Sequence, residues 1–544
     1  MMDREKFKPL RFGTSGLRAL VTEMTDMECY INTKGFVGFL KQRGEIDDEH
    51  DAVDLAGDLR SSTPRIMTSV AKAIEDSGCK VNFCGLIPTP TLSYYAMQAN
   101  TPGVIVTGSH IPEDRNGIKF TKRAGEVLKA DESEILENVA EARKIENAKD
   151  ENETLFDDNG MFKSGFSLPK EDPGAVSTYV ERYTDAFPKN CLGGLKIVLY
   201  QHSAVGRDII KEIFEKLGAE VIAAERSEKF VPVDTEKVSD QTRKLLKEFA
   251  KKYKPFAIIS TDGDSDRPLL GDENGDFLPG DKLGVLVSMY LKPSFVAIPV
   301  SANDAVVSVL AKEGIEVVQT KIGSPYVIKA MNDELSKDPK AKVASWESNG
   351  GFLLGSDWTI EGKPLKALPT RDAVLPLLTS ILLAKEKGVS VSELINSNLP
   401  HRYTYADLLR EYPREISQKI IQSISPPQGL GVAEVDFSEG KVRYLDRRVE
   451  DLGADKGLAG SMAEAKEKLS KEYFTSDLGF TPIKMINFVD GVRIIFDNND
   501  ISHLRPSGNA PEFRNYATAD TQERAEEIVK IGLEKILPKM KEEI

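Results

Sequence analysis

The stretch that decides the fold is residues 52–81, AVDLAGDLRSSTPRIMTSVAKAIEDSGCKV. A short apolar run breaks into a polar loop, a helical stripe follows, and a glycine precedes a second extended run. Ile66, Val70, Ala73 and Ile74 fall on one helical face, and Pro64 stands near its start. Gly78 sits where a helix C-terminus needs a left-handed residue. The same order returns in residues 195–221, LKIVLYQHSAVGRDIIKEIFEKLGAEV, with Ile209, Ile210, Ile213, Phe214 and Leu217 as the stripe and Gly218 as the stop. It returns again in residues 294–318, SFVAIPVSANDAVVSVLAKEGIEVV, with Gly314 as the stop.

Strands that alternate with helices predict sheets covered by helices on their faces. The expected fold is therefore α/β: three similar α/β domains with mixed, largely parallel sheets, followed by a smaller α+β C-terminal domain. The last domain contains MINFVDGVRIIF (485–496) and a charged helix from Thr521 onward. Polar stretches at 141–172, 276–281 and 397–405 read as connections, which gives domains of 1–170, 171–277, 278–398 and 399–544. Residues 451–471 read as a charged, peripheral helix.

A chain of 544 residues is long enough for several such cores. Its net charge of −14 argues against nucleic acid, which needs a basic face. An anionic substrate then requires basic residues that converge locally. MMDREKFKPL at the start lacks the apolar core of a signal peptide, and the longest apolar run, at 283–291, is too short to cross a bilayer. Cys29, Cys79, Cys84 and Cys191 fit no metal spacing and read as thiols of a reducing compartment, so the expected location is cytoplasmic, with no membrane partner.

Four loops carry chemistry. In STDGDSDRPLL, after an apolar strand, Asp262, Asp264 and Asp266 alternate, so one loop can turn three carboxylates to one centre. Hard oxygen ligands without histidine or thiol suit Mg²⁺. An EF-hand is excluded because Arg267 occupies the turn-glycine position and a strand precedes the loop. In GVIVTGSHIPEDRNGIKF (103–120) a buried run delivers Ser109 beside His110, and an Asn116-Gly117 turn is expected to return Lys119. No G-x-S-x-G elbow surrounds the serine, and adjacency to His110 does not make that histidine its base. A serine that carries phosphate accounts for more: its phosphoryl oxygen completes the Mg²⁺ shell, and Lys119 balances charge or moves a proton. In SWESNGGFLLG, Glu347 and Asn349 can accept from and donate to vicinal hydroxyls, while Gly350 and Gly351 allow close approach of a ligand. In LRPSGNAPEFRNY, Arg505, Ser507, Gly508, Asn509 and Arg514 can surround a phosphate dianion.

Together with RFGTSGLRA (11–19), the motifs TGSHIPEDRNGIKF, DGDSDR, ESNGG and RPSGNAP resemble, in order and over nearly the whole chain, the α-D-phosphohexomutase superfamily. The resemblance implies four domains around a central cleft, a phosphoserine at Ser109, and Mg²⁺ held by Ser109, Asp262, Asp264 and Asp266. It implies catalytic roles for Arg18, His110, Lys119 and Arg267, with Arg267 touching the phosphoryl group. Glu347 and Asn349 would read the sugar, while Lys321, Arg505, Ser507, Gly508, Asn509 and Arg514 would bind substrate phosphate. Phosphoserine would phosphorylate a hexose monophosphate, and the hexose 1,6-bisphosphate, also the activator, would turn round and return its other phosphate. The C-terminal domain would act as a mobile lid.

The chain departs from the pattern in four places. It has T-G-S-H-I-P where relatives commonly have T-A-S-H-N-P, and Asn349 where a serine is frequent. It also has Ser324 where some relatives place a histidine, and Asn509-Ala510 in place of threonine-glutamate. The TGSHIP and ESNGGF variants resemble bacterial sequences described as phosphomannomutases. This implies interconversion of mannose 6-phosphate and mannose 1-phosphate, with phosphoglucomutase or dual specificity as the alternative. A phosphosugar phosphatase or a non-catalytic phosphosugar-binding protein would be a different class. The expected partners are small hexose phosphates, and the expected assembly is a monomer or small homo-oligomer.

Overall fold

The computed structural model describes residues 8–13, 16–507 and 511–544. The first sheet runs Leu17–Leu20, Arg115–Lys122, Gly103–Val106, Ala52–Gly57, Lys80–Leu86, with Gly125–Glu126 pairing beside Arg115–Lys122. Ala52–Gly57 pairs in parallel with both its neighbours, while the pairs made by Arg115–Lys122 are antiparallel. The repeat reading of residues 52–81 is borne out: strand, helix Thr63–Glu75 with proline in its first turn, then strand. Ile66, Val70, Ala73 and Ile74 are buried, and Gly78, Gly218 and Gly314 all have positive φ, at +74°, +99° and +76°.

Two expectations are corrected. Asn116 and Gly117 form no turn; they lie inside the strand Arg115–Lys122, opposite Ala19 and Arg18. The chain reverses earlier, through backbone bonds from Ile111 to Gly108 and from Arg115 to Pro112. A Cβ on Gly117 would meet the carbonyl oxygens of Leu17 and Thr107 at 2.5 and 2.8 Å, so glycine is needed here for strand approach. The polar 141–172 region is also more than a connection. Its first part belongs to helix Glu132–Asn147, and Phe156 is buried in the first domain's core, edge-on to Tyr30 at 5.4 Å.

The second sheet runs Phe277–Leu278, Pro268–Gly271, Ala257–Thr261, Lys196–His202, Glu220–Arg226. The third runs Glu316–Thr320, Phe295–Pro299, Val343–Trp346, Phe352–Leu354, Leu368–Asp372. In both, parallel strands give way to antiparallel ones at one edge. The fourth sheet has eight strands from Tyr403–Leu409 to Val449–Asp451, and its recorded pairs are antiparallel.

The chain divides into two compact units. One runs to Ala297 and includes Glu313–Glu316 and Gly323–Ser397; the other comprises Ile298–Lys312, Val317–Ile322 and Asn398–Ile544. Among the described residues no helix is long and apolar enough to cross a membrane, and the four cysteines are free.

Candidate active site

The fully buried strand Gly103–Val106 ends at Thr107, whose hydroxyl donates to Asp58 Oδ2 at 2.7 Å. Thr107 Oγ1 accepts from the amide of Ser109 at 2.9 Å. Ser109 is held at φ +54°, in the left-handed region that a side chain disfavours, and is 1% exposed. Its hydroxyl donates to Asp262 Oδ2 at 2.6 Å and lies 3.3 Å from His110 Nδ1. Arg267 Nη1 stands 2.9 Å from the same Nδ1, and a guanidinium can only donate. His110 therefore accepts at Nδ1 and carries its proton at Nε2. Burial and the facing Arg267 charge pull the ring's pKa down to about 4. This is not the geometry of a serine–histidine hydrolase, whose base must be free to take the hydroxyl proton.

The strand Ala257–Thr261 is buried along its length, and its loop into Pro268–Gly271 brings Asp262, Asp264 and Asp266 together. All three are 0% exposed, and their ligand oxygens lie within 4.8 Å of one another. The Oδ1 atoms of Asp264 and Asp266 are buried without a hydrogen-bond partner. Buried, orphaned acceptors on a hard oxygen cluster fit Mg²⁺. Lys119, on the strand Arg115–Lys122, reaches Asp264 Oδ2 at 2.6 Å and Asp266 Oδ2 at 3.3 Å. Burial alone would raise Asp264, but the Lys119 charge and the bonds from Lys119 and Thr89 outweigh it and hold the carboxyl far below its ordinary value. In Asp266 burial is likewise outweighed, first by Arg371. Asp262 goes the other way, pushed well up by burial and by the charges of Asp264 and Asp266.

Arg371 is the residue that sequence reasoning missed. At the end of Leu368–Asp372 it is 6% exposed and donates from Nε to Asp266 Oδ2 at 2.9 Å and from Nη1 to Glu347 Oε2 at 2.8 Å. It ties the acidic cluster to the glutamate of the ESNGG loop. The next residue, Asp372, is anchored by the hydroxyls of Tyr179, at 2.6 Å, and Tyr183, from helix Gly174–Ala186. A buried Arg-Asp pair closing a strand was the available signal. Gly351 is corrected accordingly: a Cβ there would meet Arg371 Cδ at 2.7 Å, so the glycine makes room for arginine and not for ligand. Asn349 spends its side-chain oxygen on the Gly351 amide at 3.0 Å, which leaves its NH₂ for a ligand.

Arg18 is open to solvent on the strand Leu17–Leu20, yet desolvation by the surrounding walls and the Arg267 charge bring its pKa down to about 10. Ser324 donates to Glu126 Oε2 at 2.9 Å, and Thr370 donates to the other oxygen of that carboxylate at 2.5 Å. Ser324 is thus engaged in a structural bond in this chain.

The remaining predicted residues belong to the second unit and form a group of their own. Arg505 and Arg514 face each other on the antiparallel strands Ile501–Pro506 and Phe513–Ala519. Asp490 accepts from Arg505 Nε at 2.8 Å and, with the same oxygen, from the amide of Ile322 at 3.0 Å, the residue after Lys321. Asp490, also missed, therefore holds Arg505 and the backbone next to Lys321. Ser507 is 8% exposed and its amide donates to Glu512 O at 2.9 Å, while Arg514 Nη2 donates to Glu512 Oε2 at 3.0 Å. Gly508 and Asn509 lie outside the described residues.

Family models described as phosphoglucomutase/phosphomannomutase alpha/beta/alpha domains I, II and III match residues 9–146, 177–275 and 279–402. A phosphomannomutase of Salmonella muenchen is 39% identical over 538 residues, covering 98% of this chain and 96% of its own. A phosphomannomutase of Sinorhizobium fredii is 36% identical over 532 residues, covering 96% of this chain and 98% of its own. Among solved structures, a phosphoglucomutase/phosphomannomutase family protein of Burkholderia thailandensis superposes with a TM-score of 0.68 at 17% identity, covering 99% of this chain and 98% of its own. The phosphoglucomutase parafusin of Paramecium does so with a TM-score of 0.64 at 17% identity, covering 99% and 96%. Those two share the fold; the identity to the curated relatives, spread over nearly the full length, carries the lineage. With three of its domains matched in order, the chain belongs to the phosphoglucomutase/phosphomannomutase family.

Proposed function

We propose that this protein interconverts mannose 6-phosphate and mannose 1-phosphate by way of a phosphoserine at Ser109. The observation that carries the reading is the buried Ser109 hydroxyl, 2.6 Å from Asp262 in a cluster of three carboxylates. The names of the two curated relatives support mannose over glucose.

In the forward step the bond from phosphorus to Ser109 Oγ breaks and a bond from phosphorus to a sugar hydroxyl oxygen forms. The proton of that hydroxyl ends on Ser109 Oγ. After the bisphosphate turns round, the other phosphoryl group passes to Ser109 and the proton returns. Mg²⁺ held by Asp262, Asp264 and Asp266 would supply charge for the transferring oxygens. Lys119 counters the charge of Asp264 and Asp266, and Arg267 points its backbone N–H at Asp262 Oδ1 at 3.2 Å. Ser109 is 1% exposed, a setting that suits a phosphoserine shielded from water, which favours transfer over hydrolysis. Arg18, with its depressed pKa among other cations, suits an incoming phosphate. Glu347 and the Asn349 NH₂ suit ring hydroxyls. Lys321, Arg505, Ser507, Arg514 and the adjoining Gly508 and Asn509 have the chemistry for the phosphate that is not transferred. Hexose 1,6-bisphosphate is the activator that loads Ser109, and free, mostly buried thiols support work in the cytoplasm.

The test is a pair of mutase assays, with mannose 1-phosphate and glucose 1-phosphate, each with Mg²⁺ and a trace of bisphosphate. A mannose preference with no release of inorganic phosphate is expected, and Ser109→Ala is expected to abolish nearly all turnover. A glucose preference would overturn the substrate assignment. Stoichiometric phosphate release would make the protein a phosphatase, and an active Ser109→Ala would place the nucleophile elsewhere.

A further inference from the structure

Arg60, in the loop between Ala52–Gly57 and Thr63–Glu75, is 1% exposed and lies beneath the Ser109 loop. Its Nη1 donates to the carbonyls of Pro112 at 2.7 Å and Arg115 at 3.0 Å, and its Nη2 to those of Ser109 at 3.0 Å and Ile111 at 2.5 Å. Its Nε donates to Asp58 Oδ2 at 3.2 Å. A guanidinium has five N–H groups, so every one is spent on protein. Arg60 has no donor to offer a substrate, in contrast to Arg267, whose Nε makes no hydrogen bond and only ion pairs, with Asp266 at 3.6 Å and Asp262 at 3.9 Å. Asp58 completes the arrangement by accepting from Thr107 Oγ1 and the Gly108 amide on the same oxygen. Phe230, from the second domain, lies against the guanidinium face, with Arg60 Cζ 3.9 Å from its ring centroid.

A Cβ built on Gly108 would fall 2.6 Å from both Cζ and Nε of Arg60. The planar head is fixed by five bonds and a ring, so it has little freedom to yield. Gly108 stands immediately before the reactive serine. We propose that Arg60 is a positioning residue that holds Ser109 in its left-handed conformation, and that residue 108 is glycine because the Arg60 guanidinium fills the place of its side chain. The inference rests on the reading of Ser109 as the phosphoryl carrier. Arg60 draws the carbonyls of 109, 111, 112 and 115 around one centre, and this turns the Ser109 hydroxyl onto Asp262. The device acts on phosphoryl transfer and leaves sugar binding alone.

The experiment compares wild type, Arg60→Lys, Gly108→Ala and the double variant. Three quantities are read: phosphate incorporated at Ser109 from hexose 1,6-bisphosphate by mass spectrometry, kcat and KM with mannose 1-phosphate, and thermal midpoint. Each single variant is expected to lower kcat and the rate of Ser109 phosphorylation by about a hundredfold, the cost of misplacing a reacting group by about 1 Å, with KM unchanged. The double variant is expected to be no worse than Gly108→Ala alone, because the flexible lysine yields to the new methyl group; such coupling marks contact. Single effects that multiply in the double variant, or a rise in KM at constant kcat, would overturn the proposal. Should Arg60→Lys fail to fold, Gly108→Ala decides: a folded variant with wild-type kcat overturns it, and one with lowered kcat and unchanged KM sustains it. A wild type that turns over without phosphate on Ser109 would instead overturn the reading beneath, and so overturn this inference with it.

Discussion

Replacing Arg371 by methionine tests the link between the acidic cluster and the Glu347 loop. Methionine keeps an unbranched apolar stem but removes the guanidinium and with it both charge-assisted bonds, at 2.9 Å to Asp266 and 2.8 Å to Glu347. A hydrogen bond to a charged group contributes about 1.5–3 kcal/mol, and breaking a buried ion pair by deleting one partner costs about 3–5 kcal/mol. Part of that loss relaxes as Glu347 finds water. If one bond's worth is felt in the transition state, at about 1.4 kcal/mol per decade kcat/KM falls by about ten- to a hundredfold. Arg371→Lys, a point charge that cannot fork to both carboxylates, falls between wild type and Arg371→Met. The assay is initial velocity with mannose 1-phosphate at saturating Mg²⁺, with circular dichroism to confirm folding. A folded Arg371→Met with kcat/KM within twofold of wild type would refute the argument that the bridge places Glu347.

Asp264→Asn removes one ligand and the main partner of Lys119, so Mg²⁺-dependent turnover is expected to disappear at ordinary Mg²⁺ concentrations; an unchanged Mg²⁺ titration of activity sinks the ligand assignment. Asp490→Asn weakens the grip on Arg505 and on the backbone beside Lys321, and an increase of about tenfold in KM with a smaller change in kcat is expected, roughly one charge-assisted bond. Wild-type KM in that variant would show that Asp490 places neither Arg505 nor the segment beside Lys321 for substrate. His503 is buried, with Nε2 2.6 Å from the carbonyl of Asp490; burial first, and the nearby Arg493 and Arg505 charges, hold its pKa down to about 4. The unfolded chain takes up that proton near pH 6.5, so the contribution is intact above this value and is lost as pH falls toward 4, by about 1.4 kcal/mol per unit. Thermal midpoints from pH 7 to 5 should fall more steeply in wild type than in His503→Gln; parallel slopes would reject the assignment.

The positions of the oxygen ligands show how far local information reaches. Asp262, Asp264 and Asp266 lie within five residues of one another after a buried strand, so spacing alone converges them. The lysine that neutralises them comes from residue 119 and the arginine from residue 371, and only the packing of three domains makes those meetings. Asn116-Gly117 has the composition of a hairpin turn, yet it forms a strand because Leu17–Leu20 pairs with it on one side and the Thr107 amide donates to the Gly117 carbonyl on the other. Sheet pairing outweighed turn propensity. Gly351 looks like a ligand-approach glycine until Arg371, twenty residues on, is seen to fill the space.

From the sequence by itself one could read the three strand–helix–strand repeats, the proline start of the first, the glycine stops of all three, and the five ordered motifs. Those signals are short-range: a helical period, a left-handed φ, a carboxylate every second residue. The tertiary structure alone decided which cations serve the carboxylates, that His110 is occupied by Arg267, that Arg60 spends every donor under the serine loop, and that Asp490 joins the Ile322 amide to Arg505. Each of these depends on a charge buried against a partner tens to hundreds of residues away, and desolvation makes such a partner necessary without naming it.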